Sequence, residues 1–388
     1  MVQNAAQKIS VAIPRMPDAD MVLPYLRRID AARYYSNFGP LVREFEARVG
    51  AGYGVEPACV TSVASGTAAL TLALRASAPT PGSLCMMPSW TFSATAHAAR
   101  EAGLTPYFVD VARDSWALTP EIADAELRHA PGEVGAVLPV APFGAPIGYD
   151  HWDEFSAATG IPVVIDAAAA FDTAQPGRVP VVISLHATKV LGVGEGGLLI
   201  SRDADLVAKV RSLSNFGFQH SRVAALPGIN AKLSEYAAAV GLAALDAWPF
   251  VRTGYVRLAQ TYAAALSAIP ELSVLPGFGQ GWAGTTCLVE LADPVTGAVA
   301  RDLTRAGIES RQWWGRGCHQ QAAFAYYPSS SLAVTRHLAN HTLALPFHLG
   351  LGPAELNRIV SVVADSLAES IAPPLSQPHE QNDTAQAG

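Results

Sequence analysis

Lysine is scarce in this 388-residue chain: Lys8, Lys189, Lys209 and Lys232 are the only four of 26 basic residues, and the rest are arginines. Where a positive charge alone is needed the chain uses arginine, so each lysine raises the question of what else it does. Cysteine is equally sparse. Cys59, Cys85, Cys287 and Cys318 lie far apart with no C-x-x-C spacing, so neither a zinc site nor a disulfide framework is indicated. Charged residues make up only 15% of the chain while half of it is apolar, the composition of a compact enzyme rather than of a disordered or fibrous protein. Gly, Pro or a charge breaks every apolar run before it reaches the roughly 20 residues of a membrane span. No basic stretch leads into an apolar core at the amino terminus. The expectation is a soluble, cytoplasmic protein with no membrane partner. A net charge of -7 without a Lys/Arg cluster argues against nucleic acid as a partner, and an anionic small molecule would need locally placed donors.

What is present is an alternation. Apolar runs at Cys59 to Val63, Leu84 to Met87, Tyr107 to Val109, Ala136 to Val140, Val163 to Ile165, Val181 to Ile183 and Leu198 to Ile200 read as strands. Helical spacing follows several of them, as in the Ala/Leu-rich run from Gly66 to about Ala76, a helix over roughly Ala94 to Ala102, one capped by Thr119 with Pro120 at its first position, and one over Tyr149 to Thr159. Asp203 caps another, with the stripe Leu206, Val210, Leu213. Short strands alternating with helices predict a mostly parallel sheet covered on both faces. An earlier amphipathic helix runs from Pro40, with Leu41, Val42, Phe45 and Val49 inward, Arg43, Glu44 and Glu46 outward, and Gly50 as its stop. From Ser234 the rhythm changes: a helix over Glu235 to Ala247, an interruption at Pro249, a second over Tyr255 to Ala268, then mixed elements. This predicts a large domain over 21–248, a smaller C-terminal α/β domain over 249–371, a flexible amino terminus over 1–20 and a disordered tail over 372–388.

In a parallel α/β sheet, ligands bind beyond the carboxyl ends of the strands. Four strand ends carry candidates. Gly66 and Thr67 open a helix directly after a strand, offering free N–H groups and a hydroxyl to a phosphate, although Ser65-Gly66-Thr67 also reads as a plain cap. Phe92 or Trp90 could stack on a flat ring or simply fill the core. Asp166 ends a strand before four alanines, where it either caps a following helix or meets a protonated ring nitrogen. Lys189 sits among small and apolar residues in Ser184-Leu-His-Ala-Thr188-Lys189-Val-Leu-Gly-Val-Gly-Glu195-Gly-Gly197. It either reaches for water with its ammonium or, desolvated, loses its proton and becomes a nucleophile, which arginine cannot do. A phosphate cradle, an aromatic platform, an acid and a lysine together are the parts that pyridoxal 5'-phosphate (PLP) needs.

These residues also carry a resemblance. Gly39-Pro40 with Phe45-Glu46, Ser65 to Leu70, Pro88 to Phe92, Asp166-Ala167-Ala168, Ser184 to Gly197, Gly228-Ile-Asn230, Gly307-Ile308 with Ser310-Arg311, and Leu343 to Pro346 together resemble the DegT/DnrJ/EryC1/StrS family of sugar aminotransferases, across roughly 38–363. The resemblance implies a fold-type I architecture: a large domain with a mostly parallel seven-stranded sheet covered by helices, plus a smaller C-terminal α/β domain. It implies PLP as cofactor, Lys189 as Schiff-base lysine, Asp166 as partner of the pyridine nitrogen and Phe92 over the ring. Gly66, Thr67 and Ser184 would bind the phosphate, and Asn230 would reach it from the other subunit of a homodimer with shared active sites. The implied substrates are an amino acid, with glutamate expected, and a nucleotide-linked keto sugar. Gly194, Glu195 and Gly197 read as a turn into an antiparallel strand. Two positions depart from the family pattern. Ala169 stands where Gln is usual beside the cofactor, and Lys232 replaces an Arg. The stretch Trp313-Trp314-Gly-Arg316-Gly-Cys-His319 reads either as a substrate-specificity region or as a surface aromatic patch, with Arg311 and Arg316 as candidates to meet an anionic group. Rival readings on the same fold are a cyclitol aminotransferase, a sugar dehydratase and a regulatory PLP- or sugar-binding relative.

Overall fold

A computed structural model describes residues 8–219 and 221–371. The chain begins with α1 (Ala19–Ala32) and α2 (Pro40–Tyr53), then enters the alternation: β1 (Val60–Val63), α3 (Gly66–Ala76), β2 (Leu84–Pro88), α4 (Ser93–Glu101), β3 (Thr105–Val109), α5 (Pro120–Leu127), β4 (Val134–Val137), α6 (Tyr149–Thr159), β5 (Ile165–Asp166), β6 (Val181–Ser184), β7 (Gly197–Ile200) and α7 (Ala204–Leu213). The long α8 (Glu235–Leu266) leads to β8 (Leu272–Val274), β9 (Cys287–Leu291), α9 (Thr296–Arg305), α10 (Ala333–His341), β10 (Thr342–Leu345) and α11 (Pro353–Ile371).

The strands pair in the orders β3-β2-β4 and β5-β6-β7-β1. Parallel bridges Val137–Val163 and Val140–Asp166 join the two sections edge to edge. Pairing is parallel except where β7 meets β6 and β1. Because successive side chains in a strand point to opposite faces, Val182 and Leu199 pack with α3, α4 and α7 residues, while Val181, Ile183, Leu198 and Ile200 pack with α2 and α8. The sheet is therefore buried on both faces, which is why its strands read as continuous apolar runs. A separate antiparallel sheet, β10-β9-β8, forms the C-terminal region. Among the described residues no helix is long and apolar enough to cross a membrane.

Four expectations need correction. The amino-terminal segment from residue 8 is packed, not free: Ile9 donates its N–H to the Gly307 carbonyl at 2.9 Å, Phe347 donates to the Val11 carbonyl at 3.0 Å, and Ile9 and Val11 are buried. Residues 1–7 and the expected tail over 372–388 lie outside the described residues. Second, Gly50 does not stop α2, which continues to Gly54 in the left-handed region at φ 64°. Gly50 is instead a close-approach position, where a Cβ would lie 3.0 Å from the Val55 carbonyl oxygen as the chain folds back. Third, Pro249 does not divide two helices; α8 passes through it for 32 residues. An interior proline costs a helix about 3 kcal/mol. Burial of Ala238, Leu242 and Ala243 before it, and of Tyr255, Tyr262 and Leu266 after it, outweighs that cost.

Fourth, Glu46 does not face solvent. It is 3% exposed, accepting from Ser62 N–H at 2.7 Å, Ser62 Oγ at 2.8 Å and Arg211 at 2.7 Å. A buried carboxylate is tolerable when paired and hydrogen-bonded in this way. Glu235 is its counterpart on α8, accepting from Leu41 and Val42 N–H at 2.8 and 3.0 Å and so capping α2, whose own N-cap Gly39 has no side chain to offer. Gly39-Pro40 and Phe45-Glu46 are thus explained by packing.

Candidate functional site

The ends of β1, β2, β5 and β6 converge on the residues singled out from the sequence. β6 ends at Ser184, and the chain then makes a tight excursion before returning as β7. The excursion is closed by Leu185 N–H to Gly196 carbonyl at 2.9 Å, Ala187 N–H to Gly194 carbonyl at 2.9 Å, and Lys189 N–H to His186 carbonyl at 2.9 Å. Gly194 adopts φ 98°, a conformation glycine takes without steric cost. Gly197 is required for another reason: a Cβ there would lie 2.5 Å from the Ser65 carbonyl oxygen and 2.7 Å from Gly66 N. The turn that carries Lys189 is thereby pressed against the first turn of α3. His186 braces it through Thr188 Oγ1 at 2.9 Å.

At that first turn Ser65 is the N-cap, its hydroxyl accepting from Ala68 N–H at 3.1 Å. The N–H groups of Gly66 and Thr67 have no carbonyl four residues back in the helix and carry the positive end of its dipole. Gly66 sits directly on Ser184: a Cβ on Gly66 would lie 3.0 Å from Ser184 Cβ. Gly66, Thr67 and Ser184 therefore form one small cradle of backbone donors and hydroxyls, the chemistry of a phosphate site.

Asp166, at the end of β5, is buried. Oδ2 accepts from Thr95 Oγ1 at 2.7 Å and Oδ1 from Ala168 N–H at 3.1 Å. Turns, not a helix, follow it, so it is no N-cap. Burial raises its pKa above the ordinary aspartate value, opposed by the Thr95 and Ala168 hydrogen bonds and by the Lys189 charge. Lys189 shows the reciprocal behaviour. Burial lowers its pKa below the ordinary lysine value, with the Asp166 charge opposing. An acid and a lysine that share a desolvated site and act on each other electrostatically are a functional-site signature rather than a surface pair.

Of the two aromatic candidates, Trp90 is buried edge-on to Trp314, ring centroids 5.3 Å apart. Phe92, at the N-cap of α4, is 60% exposed and so is the ring available for stacking. Asn230 stands apart from the cluster. It is exposed, its Oδ1 accepts from Lys232 Nζ at 2.8 Å, and among the described residues no hydrogen bond joins it to Gly66, Thr67 or Ser184. Trp314 does not belong to a surface patch: it stacks on Phe143 at 3.8 Å with an interplanar angle of 18°. Trp313 carries the Arg311 guanidinium over its ring at 4.6 Å, and Arg316 is exposed. Sequence reasoning missed Thr91 and Thr95, which flank the N-cap of α4. An acid for a ring nitrogen, a desolvated lysine, an exposed aromatic and a phosphate cradle are a donor set that fits PLP.

The family model for the DegT/DnrJ/EryC1/StrS aminotransferase family matches residues 19–364. Protein Rv3402c of Mycobacterium tuberculosis is 30% identical over 376 residues, covering 92% of this chain and 90% of that protein. A UDP-N-acetyl-3-dehydro-alpha-D-glucosamine 3-aminotransferase of Acidithiobacillus ferrooxidans is 31% identical, covering 95% of this chain and all of that enzyme. Among solved structures, DesI in the presence of its TDP-sugar product superposes with a TM-score of 0.83 at 32% identity, covering 94% of each chain.

Proposed function

The chain belongs to the DegT/DnrJ/EryC1/StrS aminotransferase family and is a PLP-dependent aminotransferase, and we propose that it moves an amino group from L-glutamate to the keto group of a nucleotide-linked deoxysugar. The observation that carries this reading is that half-buried Lys189 and buried Asp166 act on each other electrostatically beside the Gly66–Ser184 cradle. The nucleotide-sugar substrate class rests on the relatives named for such chemistry.

When bound, PLP supplies an electron sink for the carbanion formed at the amino-acid alpha carbon. In this reading Lys189 anchors the cofactor covalently. Burial lowers its pKa, which favours the unprotonated amine, the form that can act as nucleophile and then carry a proton to and from the substrate carbon. Asp166, as an anion, would accept a hydrogen bond from the ring nitrogen and favour its protonated form. Gly66 and Thr67 N–H groups and the Ser184 hydroxyl bind the phosphate, and Phe92 covers one ring face. Asn230 completes the cradle of the opposite subunit in a homodimer, consistent with its exposure and its separation from its own chain's cluster.

The test is the visible absorption spectrum of the PLP-loaded protein before and after L-glutamate. Loss of the visible band, restored by one member of a panel of nucleotide-linked keto sugars, supports the proposal. A band that forms but ignores every amino acid offered refutes amino transfer. Lys189→Ala is expected to bind PLP without the visible band and to lose turnover.

A further inference from the structure

Among the described residues Asp166 makes no salt bridge. Of the other deeply buried carboxylates of this half of the molecule, Glu46 is paired with Arg211 and Glu235 is held by the Leu41 and Val42 N–H groups. Asp166 instead receives one hydroxyl on Oδ2 and one backbone N–H on Oδ1, and Lys189 is the charged group that acts on it. Thr95, the hydroxyl donor, is fully buried, as is Thr91, and their Oγ1 atoms are 2.7 Å apart. A hydroxyl carries one proton. The Thr95 proton lies toward Asp166, so the bond between the two threonines runs from Thr91 O–H to Thr95 Oγ1. Thr91 is pinned in turn, since the Cys318 thiol donates to its carbonyl at 3.4 Å and Cys318 N–H donates to the Ser89 carbonyl at 2.8 Å.

We propose that Thr91 and Thr95 form a directed hydroxyl chain that positions the Asp166 carboxylate for the cofactor's ring nitrogen, with Thr95 as the positioning residue. The inference rests on the reading of Asp166 given above. Its physical logic is that neutral donors fix the carboxylate's orientation and favour its ionised form while leaving its full negative charge for the ring. An arginine in the same place would spend that charge on a permanent ion pair. Thr91 lies just ahead of the N-cap Phe92 and Thr95 in the first turn of α4, so the chain's entry into the helix brings the two hydroxyls together at the strand end that carries Asp166.

The test compares Thr95→Val, which keeps the shape and removes the donor, with Thr95→Ser, which keeps the donor, and with Thr91→Val. PLP dissociation constants would be measured by spectral titration of apoprotein between pH 5 and 9, alongside the melting temperature of each apoprotein. Loss of a hydrogen bond to a charged group corresponds to about tenfold to a hundredfold weaker PLP binding for Thr95→Val. The pH below which binding fails should also rise, because an unsupported Asp166 takes up its proton sooner. Thr95→Ser is expected to stay within about threefold of wild type, and Thr91→Val to shift in the same direction as Thr95→Val but less. Unchanged affinity and pH profile in Thr95→Val, or a change in melting temperature alone, overturns the chain as a positioning device. A wild-type protein that binds no PLP would instead overturn the proposed function.

Discussion

Gly66 and Ser184 touch across the gap between a helix start and a strand end: a Cβ on Gly66 would stand 3.0 Å from Ser184 Cβ and 3.4 Å from its hydroxyl oxygen. One contact thus fixes both halves of the proposed phosphate cradle, and it ties α3 to the turn that bears Lys189. Gly66→Ala is expected to push Ser184 aside by a few tenths of an ångström and to weaken PLP binding by about tenfold, the loss of roughly one hydrogen bond. Spectral titration of the apoprotein measures this. Affinity equal to wild type would show that the cradle tolerates the methyl group.

Burial of Asp166 carries a stability cost when its carboxyl is ionised. Its folded-state pKa is raised, mainly by burial, so folding favours the protonated form. The penalty is absent below the ordinary aspartate value, builds as pH rises toward the raised value, and is fully present above it. Asp166→Asn is therefore expected to make the apoprotein more stable than wild type at neutral pH while weakening PLP binding. The stability difference should shrink as the pH is lowered toward the ordinary aspartate range. Thermal melts of both apoproteins from pH 4 to 8 would reveal it.

Glu46 ties α2 to β1 and to Arg211 on α7. Glu46→Ala leaves the Ser62 N–H without its carboxylate acceptor and Arg211 with the Val60 carbonyl but no counter-charge, and removing one member of a buried pair costs about 3–5 kcal/mol. Urea denaturation of the apoprotein checks this, and a loss below about 1 kcal/mol would put the pair in the class of surface ion pairs.

Pro249 sits inside α8 with its ring on the solvent side. Pro249→Ala restores a helical N–H facing the Leu245 carbonyl, with an expected gain of about 1–3 kcal/mol. A helix kinked there for functional reasons would instead show the gain in stability together with a fall in turnover, measurable on the same sample.

The sequence made the alternating half of the molecule legible because local and tertiary demands agree there. Strands buried on both faces must be apolar throughout, helix starts need Thr119 and Asp203 as caps, and both residues serve as such. The Lys189 turn was equally legible, since Gly194 and Gly197 answer to backbone geometry that no other residue satisfies. Helix α1 and the docking of Ile9 and Val11 left no comparable trace. Ile9 and Val11 reach across the chain to Gly307 and Phe347 and α1 packs on α8, and no local spacing encodes such partners.

Charge placement divides along the same line. Residue type alone indicated that Lys189 and Asp166 had chemistry open to them, because a lysine, unlike an arginine, can lose its proton and an ionised carboxylate accepts well from a protonated ring nitrogen. Tertiary structure decided which carboxylates are buried and what holds them: Glu46 by an arginine 165 residues away, Asp166 by a threonine 71 residues away. Helical periodicity put Glu46 in water, and the fold put it in the core. A periodic pattern reports the average face of a helix, whereas the fate of one polar side chain depends on donors brought to it from distant segments.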